Sequence, residues 1–137
     1  MSFRFSTRVA VVSLVTALPV SAHHSHGNYA KEFIDLEGVV TEVALINPHS
    51  WVFANVTDDS GQTVEWALEG TNRAVLERVG VTPESIGPGD RIKARCHPLR
   101  DGSEGCLLGF LQVSGGPAID WDGNGAMPVD DGFFDLD

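Results

Sequence analysis

Five segments of this chain have the pattern of β-strands, and a single helical segment lies between the third and the fourth of them. Each strand-like segment is short, rich in β-branched or aromatic residues, and bounded by residues that favour turns. Together they cover residues 36–46, 51–57, 63–69, 91–97 and 106–113. In the third segment, Val64, Trp66 and Leu68 alternate with more polar residues, as expected for a strand with one buried face. This order of elements is compatible with few folds.

The segment after the third strand has its apolar residues at helical spacing. Thr71 is a suitable N-cap residue, the apolar stripe runs through residues 74–79, and Gly80 can adopt the left-handed conformation that ends many helices. Five strands with a helix between the third and the fourth is the order of the OB-fold, a five-stranded Greek-key barrel. We therefore predict an all-β protein with a small OB-like barrel over residues 36–114.

The first 22 residues have the pattern of a secretory signal peptide. Arg4 and Arg8 precede an apolar run over residues 9–20, and Val20-Ser21-Ala22 supplies suitable residues at positions −3 and −1 of a cleavage site. The run is shorter than the roughly 20 residues that span a bilayer. We expect cleavage after Ala22, a periplasmic or secreted location, and no membrane span after processing.

The charge balance of the mature chain argues against nucleic acid as a partner. Cleavage removes 2 of the 9 basic residues and none of the 19 acidic ones, which takes the net charge from −10 to −12 over the remaining 115 residues. An acidic surface of this kind repels phosphate backbones. The length suits one domain, and the sequence identifies no particular protein partner.

The two cysteines, Cys96 and Cys106, flank the loop between the fourth and fifth strands. An even number of cysteines in an oxidising compartment favours a disulfide. The alternatives are two buried thiols or a metal site with His97. The metal site lacks a fourth ligand, and neighbouring residues on a strand point to opposite faces.

Residues 115–137 are acidic and contain six aspartates without a basic residue. We predict a flexible tail outside the barrel. Numbered from Asp120, the segment partly matches a calcium-binding loop, although an aspartate replaces the usual bidentate glutamate at position 12. The candidate calcium ligands are Asp120, Asp122, Asn124 and Asp131. The alternative is a solvated acidic tail without an ion.

Several short motifs together resemble a family of small exported bacterial proteins of unknown function. The motifs are Ala22-His23-His24-Ser25, Asn47-Pro48-His49-Ser50, Trp66-Ala67-Leu68-Glu69, Arg78-Val79-Gly80, Gly89-Asp90-Arg91-Ile92 and the turn over residues 98–102. The resemblance covers roughly residues 22–113. It implies an exported setting and no established activity. The cysteine pair and the acidic tail depart from the family pattern.

The histidines are the strongest chemical signal in the sequence, and three of the five lie in a polar lead-in over residues 23–35. The candidate metal ligands are His23, His24, His26, His49 and His97. After cleavage, the α-amine and imidazole of His23 can chelate one Cu(II) ion, with a third nitrogen from His49 or His97. Cleavage one residue later would place His26 at position three, which is another copper-binding arrangement. The alternative is a polar terminus that binds no metal.

We find no nucleophile and base in a recognisable catalytic setting. Glu65 and Glu69 share one face of a strand but lie ~13 Å apart by strand rise, too far for a catalytic dyad, and we expect Glu69 to be a surface residue. The sequence therefore favours a small exported binding or accessory protein that binds copper. The alternatives are an interaction module without a metal and a copper-dependent oxidase with an N-terminal histidine site.

Overall fold

The computed structural model describes residues 26–136 and contains six β-strands and one α-helix. The elements are β1 (Ile34–Ala44), β2 (Ser50–Thr57), β3 (Thr63–Gly70), α1 (Arg73–Arg78), β4 (Arg91–Pro98), β5 (Gly105–Val113) and β6 (Ala118–Asp120). A single turn of 3-10 helix, His26–Asn28, precedes β1. Five of the six strands match the predicted ones to within two residues at each end.

The strands form one sheet that closes into a barrel. Their order is β3-β2-β1-β4-β5-β6, and the barrel closes where β3 runs parallel to β5. In that parallel pair Ala67 lies opposite Gly105 and Glu69 lies opposite Leu107. The all-β class, the five-stranded barrel and the helix between the third and fourth strands are all confirmed.

Alternating burial along the strands explains why the sheet curls around a single core. In β2, Val52 and Ala54 are fully buried, whereas Trp51 and Phe53 remain partly accessible on the outer face. The register of β1 against β2 shifts at Thr41, the residue of a β-bulge, and bulges increase the local bend and twist of a sheet. The core also contains Val40, Leu68, Leu76, Ile92, Ala94, Leu108 and Leu111.

Helix α1 closes one end of the barrel through Leu76, which is fully buried. Its N-cap is Asn72, one residue beyond the predicted Thr71, and the Asn72 side chain accepts a hydrogen bond from the Val75 amide at 3.0 Å. Gly80 ends the helix with φ 94°, as predicted. Between residues 26 and 136 no helix has the length and apolar character needed to cross a bilayer.

The predicted disulfide is confirmed. Cys96 and Cys106 are bonded, with their Cα atoms 5.6 Å apart. Cys96 lies opposite Leu108 and Cys106 lies opposite Pro98, so the bond runs diagonally between the two antiparallel strands. Both residues are fully buried, and the bond joins β4 to β5 inside the core.

The acidic segment after β5 differs from the predicted flexible tail. Ala118–Asp120 pairs with β5 as a sixth strand, and the Trp121 side chain is only 1% exposed. Gly70 provides the space for this ring, because a Cβ at that position would lie 2.6 Å from the Trp121 Cε3 atom. Phe134 is also buried. Aromatic residues within the acidic composition therefore anchor the segment to the barrel.

Candidate functional site

A cluster of three polar side chains forms where the lead-in meets the ends of β2 and β3. The Tyr29 hydroxyl donates a hydrogen bond to Glu69 Oε2, and the His49 Nδ1 atom binds Glu69 Oε1. Glu69 is the penultimate residue of β3, and His49 directly precedes β2. The Glu69 side chain is only 12% exposed. Glu69 is thus part of a polar site rather than the surface residue that its position in the strand had indicated.

The backbone of the lead-in is held against the end of β4. Tyr29 forms an isolated β-bridge with Leu99, and the Ala30 amide donates to the Pro98 carbonyl at 2.8 Å. Arg100 donates twice, from its amide to the Asn28 carbonyl at 2.9 Å and from Nε to the Tyr29 carbonyl at 2.8 Å. These bonds fix the backbone of Tyr29, so its side chain can cross to Glu69.

An ionised carboxylate at Glu69 restricts where each of its partners carries a hydrogen atom. An ionised carboxylate only accepts hydrogen bonds, so His49 must carry a proton on Nδ1 to bind Glu69. In the neutral imidazole, the lone pair is then on Nε2. Many metal-bound histidines adopt this tautomer, with the other ring nitrogen donating a hydrogen bond to a carboxylate. Burial, the hydrogen bond to Glu69 and the charge of Glu69 raise the pKa of Tyr29 well above its usual value.

His97 lies on the same outer surface but in different surroundings. Its ring stacks on Phe33, with the centroids 3.9 Å apart, and its Nδ1 atom lies 3.3 Å from the Glu32 carbonyl oxygen. Leu107 pairs with both Glu69 and His97. His97 and Glu69 are therefore two strand spacings apart, about 10 Å between backbones.

Two of the predicted metal ligands, His23 and His24, lie outside the described residues. His26 begins the 3-10 turn that leads to Tyr29. The three residue steps from His26 to Tyr29 span at most about 11 Å. His26, the last of the three histidines in the lead-in, therefore lies within about 11 Å of Tyr29 along the backbone.

The carboxylates of two predicted calcium ligands, Asp120 and Asp131, have hydrogen-bonding partners in this structure. Asp120 is 5% exposed, and its carboxylate accepts hydrogen bonds from the amides of Asp122, Asn124 and Ala126 at 2.9 to 3.0 Å. The Asp131 carboxylate forms an ion pair with Arg95, with 2.8 Å between Oδ2 and Nη2. Arg95 and the Phe133 amide lower the pKa of Asp131. These aspartates thus hold the turn and the tail in place.

Within residues 26–136, no group of three or more histidine, cysteine or acidic side chains is placed to hold a metal ion. The sequence patterns missed Tyr29 and Glu69. Tyr29 is the one tyrosine of the chain and lies between two short polar stretches. Glu69 occupies a strand position that alternation assigns to the surface. Only the barrel closure and the path of the lead-in bring the two residues to His49.

Comparison with known proteins adds a family and no activity. Neither a curated protein nor a solved structure matches the chain. The family of unknown function DUF6152 matches residues 10–108, a range that includes Tyr29, His49, Glu69 and the cysteine pair and ends before the acidic tail. The match covers most of the chain, and the protein therefore belongs to the DUF6152 family.

Proposed function

We propose that this protein is an exported Cu(II)-binding protein, whose metal site combines the processed N-terminus at His23 with the imidazole of His49. Removal of the signal peptide would place a free α-amine and an imidazole on the same residue, which together form a chelate ring. A third nitrogen would complete a T-shaped site suited to Cu(II).

The observation that carries the proposal is the double role of Glu69. Its carboxylate binds Tyr29, three residues after His26, and His49, in the turn before β2. The carboxylate orients the His49 ring and favours the tautomer with its lone pair on Nε2. Through its bond to Tyr29, the carboxylate also holds the lead-in beside the His49 ring. His49 is therefore a better candidate for the third nitrogen than His97, which stacks on Phe33.

The acidic character of the mature chain supports cation binding in general. The full sequence has a net charge of −10, and loss of Arg4 and Arg8 would take it to −12. Such a surface raises the local concentration of cations. Copper should bind less tightly as the pH falls, because protons compete with the ion for the α-amine and the imidazole nitrogens.

Titration with Cu(II), followed by electron paramagnetic resonance, tests the proposal. The sample is the full mature chain beginning at His23, and the comparison is the same chain with three added N-terminal glycines, which leave no histidine at position one, two or three. The added residues convert the α-nitrogen of His23 into an amide but leave all five imidazoles intact. Weaker binding and a changed spectrum for the extended chain support the site. Identical titrations would contradict it.

A further inference from the structure

The charges of the barrel are divided between its two halves. Strands β1, β2 and β3 contain no lysine, arginine or histidine, and their acidic residues are Asp35, Glu37, Glu42, Glu65 and Glu69. Strand β4 carries Arg91, Lys93, Arg95 and His97. The part of the outer surface formed by β1, β2 and β3 is thus anionic.

Two aromatic rings stand side by side on this anionic part of the sheet. The Trp51 and Phe53 rings are inclined by only 19°, with their centroids 6.4 Å apart. They share the outer face of β2, because Val52 between them points into the core. Their cross-strand neighbours on this face include the small side chains of Ala44 and Ala67. The rings are therefore partly accessible above small neighbours.

Carboxylates flank the two rings on both neighbouring strands. Glu42 pairs with Phe53 from β1, and Glu65 occupies the outer face of β3, where it accepts a 2.8 Å hydrogen bond from Thr41. We call Glu42, Trp51, Phe53 and Glu65 the acidic aromatic face. Among the described elements, β2 makes its main contacts with its sheet neighbours β1 and β3.

A similar combination of aromatic rings and carboxylates surrounds Arg95 elsewhere in this molecule. The Arg95 guanidinium lies 5.4 Å from the Phe133 ring centroid and 5.5 Å from that of Phe134. It also donates to Asp35 at 2.7 Å and to Asp131 at 2.8 Å. Two aromatic rings and two carboxylates therefore hold one arginine, by cation–π contact and by charge-assisted hydrogen bonds.

We propose that the acidic aromatic face is a docking surface for an arginine-bearing segment of a partner protein. The face has the same components as the surroundings of Arg95, and β1, β2 and β3 supply no cation of their own. A guanidinium placed over Trp51 or Phe53 would lie beside the carboxylates of Glu42 and Glu65. None of these four residues belongs to the Tyr29–Glu69–His49 cluster, although Trp51 lies opposite Glu69 in the β2–β3 pair.

Fluorescence anisotropy with a labelled peptide of alternating glycine and arginine tests this inference on the full mature chain without copper. The key variant is Glu42→Gln, and the matched control is Asp59→Asn, which removes the same charge from the exposed hairpin turn after β2. We expect Glu42→Gln to weaken peptide binding about two- to fivefold more than Asp59→Asn, as the loss of one exposed ion pair predicts. Trp51→Leu should weaken binding by a similar factor.

The other outcomes would overturn the inference. Equal weakening by Glu42→Gln and Asp59→Asn would show attraction to net charge alone. Binding of a neutral oligosaccharide in place of the peptide would make the aromatic pair a sugar platform. Self-association that Trp51→Leu abolishes would assign the face to a second copy of the chain. Circular dichroism of each variant separates loss of binding from loss of the fold.

Discussion

Tyr29 and His49 bind opposite oxygens of one carboxylate, that of Glu69, although 20 residues separate them in the chain. The relationship depends on two separate features of the fold. The bridge from Tyr29 to Leu99 places the phenol, and the turn before β2 places the imidazole. One acidic side chain therefore connects the lead-in to the barrel and sets the tautomer of the histidine.

The state of Tyr29 can be measured directly because it is the only tyrosine. Its pKa is raised above the usual value of about 10, so the unfolded chain loses the phenolic proton at a pH at which the folded chain retains it. Tyr29 thus contributes stability that is complete below about pH 10 and is lost as the pH rises further. Ultraviolet titration should show little phenolate near pH 10.5 in the folded protein and substantial phenolate in urea. Matching titration curves would contradict the hydrogen bond from Tyr29 to Glu69.

The packing of the tail against the barrel predicts that alanine substitutions at two glycines have different effects on stability. Gly70→Ala should destabilise the protein by about 1–3 kcal/mol, because the added methyl group would overlap the Trp121 ring. Gly87→Ala is the control, since no atom lies within 4 Å of a Cβ at that position. Urea unfolding, followed by tryptophan fluorescence, gives both values. Equal stabilities of the two variants would argue against a buried Trp121.

The disulfide should contribute measurably to stability. Cys96 and Cys106 are ten residues apart in sequence and fully buried. In the chain-entropy account, closing a loop of this length stabilises the fold by about 2–3 kcal/mol. Guanidinium unfolding with and without a reductant should show that difference, and non-reducing peptide mapping should find the two residues joined. Free thiols in protein from an oxidising compartment would be inconsistent with the pairing.

The acidic tail should loosen at low pH. Arg95 lowers the pKa of Asp131, so the ion pair contributes stability above the usual pKa of about 4 and loses it as the pH falls through the lowered value. Relative to the intrinsic rate at each pH, hydrogen exchange at Phe133 and Phe134 should therefore accelerate below about pH 4. At neutral pH, Asp131→Asn should reproduce the faster exchange, whereas Asp130→Asn, the same change one residue earlier, should not. Unchanged exchange in Asp131→Asn would mean that the aromatic contacts alone hold the tail.

Much of the barrel could be predicted from the sequence because its signals are local. Alternation identified β3, and turn residues such as Gly80 marked the limits of the elements. The prediction of a flexible tail was wrong. It followed from the six aspartates of the segment, whereas the buried side chains of Trp121 and Phe134 anchor the segment to the barrel. A three-residue strand such as β6 carries no periodic signal of its own and forms only because β5 offers an edge.

The candidate site was harder to predict because it depends on tertiary contacts. The sequence identified His49 and His97 but could not distinguish their surroundings, a carboxylate for the first and a phenyl ring for the second. Glu69 was assigned to the surface by alternation, which is correct for its face of the strand. Tyr29 covers the Glu69 carboxylate because the bridge to Leu99, 70 positions later in the chain, places it there.

The most direct test of the copper proposal combines the N-terminal comparison with substitution of Glu69. We expect the mature chain to bind one Cu(II), and an N-terminal extension of three glycines or His49→Ala to weaken that binding, while His97→Ala has little effect. Glu69→Gln should lower the affinity about 10- to 100-fold, as for other carboxylates that orient a metal-bound histidine, and Glu65→Gln, on the same strand face, should not. Copper affinities that are the same for the mature chain, the extended chain and Glu69→Gln would contradict the account.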